Sequence, residues 1–164
     1  MKVCIHRGTQ EVGGTCIEIE SQGKRIVLDV GLPLEAIDSI ESLPRVGGFR
    51  ERHKSLLAVV ISHPHLDHYG LAHYLLPDTQ MIMGAATERI LKAAMLFTPA
   101  GVEFKNVLHL ESGQPLSIGP FTITPYLNDH SAYDAYSLLI SADGQRLFYS
   151  GDFRGHGRKA ALFE

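Results

Sequence analysis

Cysteine is scarce: Cys4 and Cys16 are the only two in 164 residues. Two thiols cannot build the disulfide framework of a small secreted scaffold, and neither has a partner at zinc-knuckle spacing. Both are read as small buried thiols in a reducing compartment. Long apolar runs are missing as well. The longest, residues 56–61, falls far short of the roughly 20 residues a membrane helix needs. The opening MKVCIHRGTQEVGG carries no apolar signal-peptide core. A cytoplasmic protein without membrane contact is expected. Nor is one sign of charge in excess: 15 Lys and Arg face 18 Asp and Glu, a net −3 with neutral His, which lacks the basic surplus of a dedicated phosphate binder. There is no repeat and no low-complexity tract. With 45% hydrophobic and 20% charged residues the chain is not disordered, and its length suits one domain.

The pattern of apolar residues predicts short strands at 2–7, 15–20 and 25–30, separated by turns rich in glycine. Residues 31–54 read as a long surface loop with one helical turn. Residues 56–61 form a fully apolar strand, buried on both faces. A short helix at 69–76, a strand at 80–83 and a helix at 85–97 follow, the second helix with Ala86, Ile90, Ala94 and Phe97 on its buried stripe. Strands return at 106–110, 115–118, 121–127, 137–141 and 146–150, the last pair joined by the turn at Asp143-Gly144. Strand-rich ends around a β-α-β-α centre predict a layered α/β (α+β) fold.

What is abundant is histidine, nine residues in all. Directly after the buried strand stands SHPHLDHYG, in which His63, His65, Asp67 and His68 can all bind a metal. In a shuffled chain of this composition H-x-H-x-D-H arises roughly once in a thousand trials, so the signal is specific. Pro64 biases His63 to an extended backbone, which sends His63 and His65 to the same side, where they can share one ion. Asp67 and His68 lie where the chain turns into the next helix and can serve a neighbouring position, about 3.5–4 Å away in two-metal hydrolytic sites.

One loop does not complete such a site, and the ends of other strands supply candidates. His130 follows the strand at 121–127 in LNDHSAYDAYS, and Asp152 follows the strand at 146–150 in YSGDFRGHGRK. Asp29, in IVLDVG, holds a similar position and is suited to orient a ligand by hydrogen bonding from behind. His6, His73 and His109 have no partners at ligand spacing and are assigned to packing.

The strings LDVG, SHPHLDH, NDHSAYDAYS and YSGDFRGHGRK, in this order, resemble the metallo-β-lactamase superfamily over essentially the whole chain. EVGGTC, DHSAYDAY and GDFR resemble its β-CASP branch of nucleic-acid-processing hydrolases, related to ribonuclease J and to the endonuclease of mRNA 3′-end processing. The resemblance implies a first Zn²⁺ on His63, His65 and His130, and a second on Asp67 and His68 with Asp152 bridging. It also implies a structural carboxylate at Asp29. Donors of oxygen and nitrogen without thiolate suit zinc, with Mn²⁺ or Fe as alternatives. The implied activity is hydrolysis of RNA or DNA phosphodiesters by a metal-activated hydroxide, with Asp67, Asp152 and His130 as the catalytic residues. The alternatives are hydrolysis of a small ester, lactone or thioester, and a metal-binding fragment without turnover.

Members of this branch continue into a β-CASP insertion and then the second half of an αββα sandwich. Residues 1–164 are therefore expected to correspond to the N-terminal part of a metallo-β-lactamase domain, with the insertion and the C-terminal half expected to be absent. The second ion is then expected to bind more weakly than the first. Association with a complementary half, or a homodimer, is expected from the uncovered sheet. Two basic segments, Arg50, Arg52, His53 and Lys54, and then Arg154, Arg158 and Lys159, are read as flanking the site. They are either solvated surface or contacts to substrate phosphates.

Overall fold

A computed structural model describes residues 1–98 and 101–163. A six-stranded mixed sheet runs in spatial order β1 (Lys2–Arg7), β2 (Cys16–Ser21), β3 (Lys24–Leu28), β4 (Leu56–Val60), β5 (Gln80–Gly84) and β6 (Asn106–Leu110). The first three strands are an antiparallel meander; β3 through β6 are parallel. An antiparallel sheet of β7 (Leu116–Ile118), β8 (Phe121–Leu127), β9 (Tyr136–Ala142) and β10 (Gln145–Tyr149) packs against one face of the first.

The side-chain alternation of the parallel strands explains the layers. Ile26, Leu28, Ala58, Val60 and Ile82 point one way and meet Phe121, Ile123, Leu138 and Ile140 of the second sheet. Val27, Val59, Met81 and Met83 point the other way, under Phe49, Tyr69, Leu71 and Leu91. The sheet is thus covered on both faces at its centre, and β4 buries Ala58, Val59 and Val60, while Leu56 and Leu57 at its start are half-buried rather than fully covered as its sequence predicts. On β1 the cover ends: Val3 and Ile5 are about half exposed. The registers Leu28↔Val60↔Ile82 align the C-terminal ends of β3, β4 and β5 on one rim.

Several expectations are corrected. The helix foreseen at 69–76 starts earlier and is broken into α1 (Leu66–Tyr69) and a single 3-10 turn at Ala72–Tyr74. Helix α2 (Ala85–Ala94) ends before Phe97, which is 84% exposed, and it buries Thr87 and Leu91 rather than the stripe of Ala86, Ile90, Ala94 and Phe97. Leu91 inserts into the core beside Met81, while Thr87 is held by Asp134, so the helix is rotated by one position from its most apolar face. Residues 31–54 do hold one helical turn, Ile40–Ser42, but they are not simply surface: Leu43, Val46 and Phe49 close the core over the first sheet. Cys16 is buried, whereas Cys4 is exposed on the edge strand β1. Among the described residues no helix is long and apolar enough to cross a membrane.

Candidate metal centre

The rim where β3 and β4 end carries the H-x-H-x-D-H run. His63 is fully buried, and His65 has an extended backbone (φ −103°, ψ 145°) that caps the start of α1. Helix α1 has four residues, too short to satisfy its own carbonyls. Residues 30–32, at and after LDVG, and the GGT segment do this from below: Leu32 N donates to Leu66 O (2.9 Å), Thr15 N to Asp67 O (3.2 Å) and Val30 N to His68 O (2.7 Å). Such close approach requires glycine. A Cβ on Gly31 would fall 1.7 Å from Asp67 O, and one on Gly13 would fall 2.8 Å from Asp67 Cβ.

Asp29 lies beneath, fully buried and in the left-handed region at φ 58°. Its Oδ1 accepts from Ser62 N (2.7 Å); its Oδ2 accepts from Ser62 Oγ (2.8 Å), His68 Nδ1 (2.7 Å) and Tyr149 Oη (2.5 Å). Burial works to raise this carboxyl's pKa, but the charge and hydrogen bond of His68, with the other donors, hold it below the ordinary carboxylate range. Burial pushes the Tyr149 phenol far up, and the Asp29 charge adds to this, so it stays a donor. With Nδ1 committed to Asp29, His68 presents Nε2 to the site.

The remaining donors arrive from the second sheet. Asn128 ties the loop after β8 to the end of β10, donating to Ser137 Oγ (3.1 Å) and Ser150 O (3.2 Å), while Tyr136 N donates to Ser62 O (3.1 Å). Asp134 reaches the start of α2 and accepts from Ala86 N (3.0 Å) and Thr87 N (2.9 Å), fixing the loop that carries His130. Asp129 accepts from Gly157 N (2.5 Å) and Lys159 N (3.2 Å), which folds the segment after Asp152 back against the same loop.

Two groups of donor atoms result, each within 4.8 Å: His63, His65 and His130, and His63, His68 and Asp152. His130 Nε2 lies 3.1 Å from His65 Nδ1. Asp152 faces both groups, with Oδ1 3.4 Å from His68 Nε2 and Oδ2 3.9 Å from His130 Nε2. Asp67 stands at the side, its Oδ2 3.6 Å from His68 Nε2. Burial, then the positive charge of His68, lowers the His63 pKa to about 3, so this ring is neutral and ready to donate a lone pair. Burial and the neighbouring His65 also lower His130. At His68 burial works downward, but the Asp29 charge and hydrogen bond outweigh it and raise the group to about 9.

The residues fit a divalent cation. His63 Nε2 is buried without a hydrogen-bond partner, at the convergence of three other imidazoles. A buried unpaired nitrogen is costly, and a cation satisfies it. The donors are nitrogen and oxygen only, suited to zinc and compatible with other first-row ions.

The proposed phosphate contacts divide. Lys159 Nζ donates to Ala132 O (3.2 Å) and Tyr133 O (3.0 Å), and Arg154 Nε pairs with Asp129 (3.8 Å), so both support the loop. Arg158 has no recorded partner among the described residues. The other basic segment does not flank the centre. Residues 50–54 precede β4 and His63 follows it, which puts them about 16 Å apart at opposite ends of the strand. There Arg50 donates to Ile40 O and Leu43 O, Arg52 pairs with Asp78, and His53 and Lys54 line a separate cavity of about 300 Å³. His6, His73 and His109 each face a carboxylate, Glu18, Asp38 and Glu88. Ser62, Asp129, Asp134 and Tyr149 were not foreseen from the sequence; of these, only Asp129 and Asp134, inside NDHSAYDAYS beside His130, carried a local signal.

Comparison with known proteins finds relatives in sequence and in fold. Curated relatives include ribonuclease J of Helicobacter pylori (27% identical, 94% of this chain and 23% of the relative). They also include the transcription termination factor FttA of Methanothermobacter thermautotrophicus (28%; 90% and 26%) and cleavage and polyadenylation specificity factor 73 of Drosophila melanogaster (28%; 88% and 23%). The chain spans about a quarter of the length of each. Among solved structures, a protein of unknown function from Enterococcus faecalis superposes with a TM-score of 0.81 (24% identical; 98% and 45% covered). The metallo-beta-lactamase fold protein YhfI of Bacillus subtilis superposes with 0.62 (18%; 92% and 62%). The beta-lactamase superfamily domain matches residues 24–162. With that match across most of the chain, the chain belongs to the metallo-β-lactamase superfamily.

Proposed function

We propose that the chain is the metal-binding part of a nuclease-type hydrolase that cleaves RNA, or DNA, at a zinc centre made by His63, His65, Asp67, His68, His130 and Asp152. The observation that carries this reading is the pair of donor groups joined by Asp152, whose two oxygens face His68 and His130 separately. The relatives named ribonuclease J and cleavage and polyadenylation specificity factor 73 support a nucleic-acid substrate.

A divalent ion bound here supplies charge to polarise a phosphoryl oxygen and to acidify a water. The protein's own groups do the rest. Asp29 holds His68 with Nε2 inward, and neutral His63 donates without first losing a proton. Asp67 is partly exposed and not held by Asp29, so its carboxylate is placed to accept a hydrogen bond from the attacking water and orient it. Arg158, exposed and without a partner among the described residues, is placed to meet a substrate phosphate.

The test is hydrolysis of labelled RNA and of bis-p-nitrophenyl phosphate with added Zn²⁺ or Mn²⁺. Activity lost in His65→Ala and Asp152→Ala supports the proposal. Activity on thioesters or lactones alone would replace it with small-molecule hydrolysis, and no turnover with either metal would leave a metal-binding fragment.

A further inference from the structure

Of the four hydrogen bonds that Asp29 accepts, three come from the 62–68 segment itself: Ser62 N, Ser62 Oγ and His68 Nδ1. The fourth comes from Tyr149, which ends β10 in the other sheet, 120 positions away, and bonds at 2.5 Å. Among the described residues it is the only donor that reaches Asp29 from the second sheet. Tyr149 also stands three positions before Asp152, with Ser150 O tied by Ser137 and Asn128 between them. One hydroxyl therefore touches the carboxylate that aims His68 and belongs to the strand that delivers Asp152.

We propose that Tyr149 is a positioning residue for one cation group only, that of His63, His68 and Asp152, acting through Asp29 on the ring of His68 and through its own strand on Asp152. The inference rests on the metal-dependent reading above. The selectivity follows from the contacts. His65 and His130 have no bond to Asp29 and meet each other directly, and His63, common to both groups, meets Asp29 only through Ser62 Oγ (3.0 Å from its Nδ1), whereas His68 bonds Asp29 Oδ2 itself, beside Tyr149. Without the hydroxyl, Asp29 keeps only donors from the 62–68 segment, Ser62 N on Oδ1 and Ser62 Oγ and His68 Nδ1 on Oδ2, and loses its one tie to the second sheet, so the His68 ring is held less firmly relative to Asp152.

The experiment is calorimetric titration of Zn²⁺ into the chain as wild type, Tyr149→Phe and Asp152→Ala, the last removing the step of the His68 group while only weakening the other, whose His130 its Oδ2 faces at 3.9 Å. In Tyr149→Phe that step weakens by about tenfold, the low end for residues behind a metal ligand, and the other step is unchanged. Nitrogen NMR of the metal-loaded protein shows His68 as a single Nδ1-protonated tautomer in wild type and as a mixture in Tyr149→Phe. Unchanged affinities, equal weakening of both steps, no step that responds to Asp152→Ala, or a Tyr149→Phe chain that fails to fold would each overturn the proposal, the last by giving the hydroxyl a purely structural role. Uptake of no ion by the wild type would instead overturn the metal-dependent reading itself.

Discussion

His68 Nδ1 lies 2.7 Å from Asp29 Oδ2, both side chains out of solvent, so the orientation of one proposed metal ligand depends on a carboxylate that binds no metal itself. Replacing Asp29 by Ala leaves the Ser62 amide, the Tyr149 hydroxyl and a raised His68 without an acceptor. Breaking a buried ion pair from one side costs about 3–5 kcal/mol. Urea unfolding of metal-free Asp29→Ala should show a loss of that size; a loss below about 1 kcal/mol would mean that solvent replaces the carboxylate.

Gly31 is fixed by contact rather than by backbone conformation. A methyl group there would meet Asp67 O at 1.7 Å, and Thr15 N at 2.8 Å. Gly31→Ala must displace α1 from the LDVG loop, at about 3 kcal/mol or more, the upper end for overpacking. Denaturant midpoints test this, and proton exchange of the Val30 amide, bonded to His68 O, should accelerate in the variant.

Much of this centre was legible because it is local. His63, His65, Asp67 and His68 lie within one short run after an apolar strand, and His130 and Asp152 each follow another apolar run, so the H-x-H-x-D-H motif and the strand ends together put the members of both donor groups on one list. What was not legible depends on pairing between distant segments. The Tyr149 bond to Asp29 spans 120 positions, and the Asp134 bonds that set the face of α2 span 47 and 48. Hydrophobicity put Ile90 and Phe97 inward, but a cap from another loop and the insertion of Leu91 decide the rotation of the helix. Residues 50–54 looked close to the centre because only a short strand separates them from His63, yet a strand places its two ends apart.

Asp134→Ala tests that cap. The first amides of α2 lose their acceptor, which costs about 1–2 kcal/mol for a helix N-terminus. Because the same loop carries His130, thermal unfolding should fall and the affinity of the His63, His65 and His130 group should fall with it. A drop in stability with unchanged affinity would separate the cap from the centre.

Cys16, which is not among the proposed ligands, provides a pH test. Burial, with the charge of Asp29 second, pushes its thiol up to about 12, while a thiol in the unfolded chain titrates near about 8.5. Between these values the unfolded chain releases a proton that the native state keeps, so this contribution to stability falls as pH rises from about 8.5 towards 12. The stability difference between wild type and Cys16→Ala should narrow across that window. Alkylation at pH 8 should label exposed Cys4 in the native state and Cys16 only in urea.

The most direct measurement is equilibrium dialysis of the wild-type chain against Zn²⁺, with His65→Ala and Asp152→Ala beside it. The account predicts a tighter step that His65→Ala removes and a weaker one that Asp152→Ala removes. Wild type that retains no ion, or retention that neither substitution changes, would contradict it.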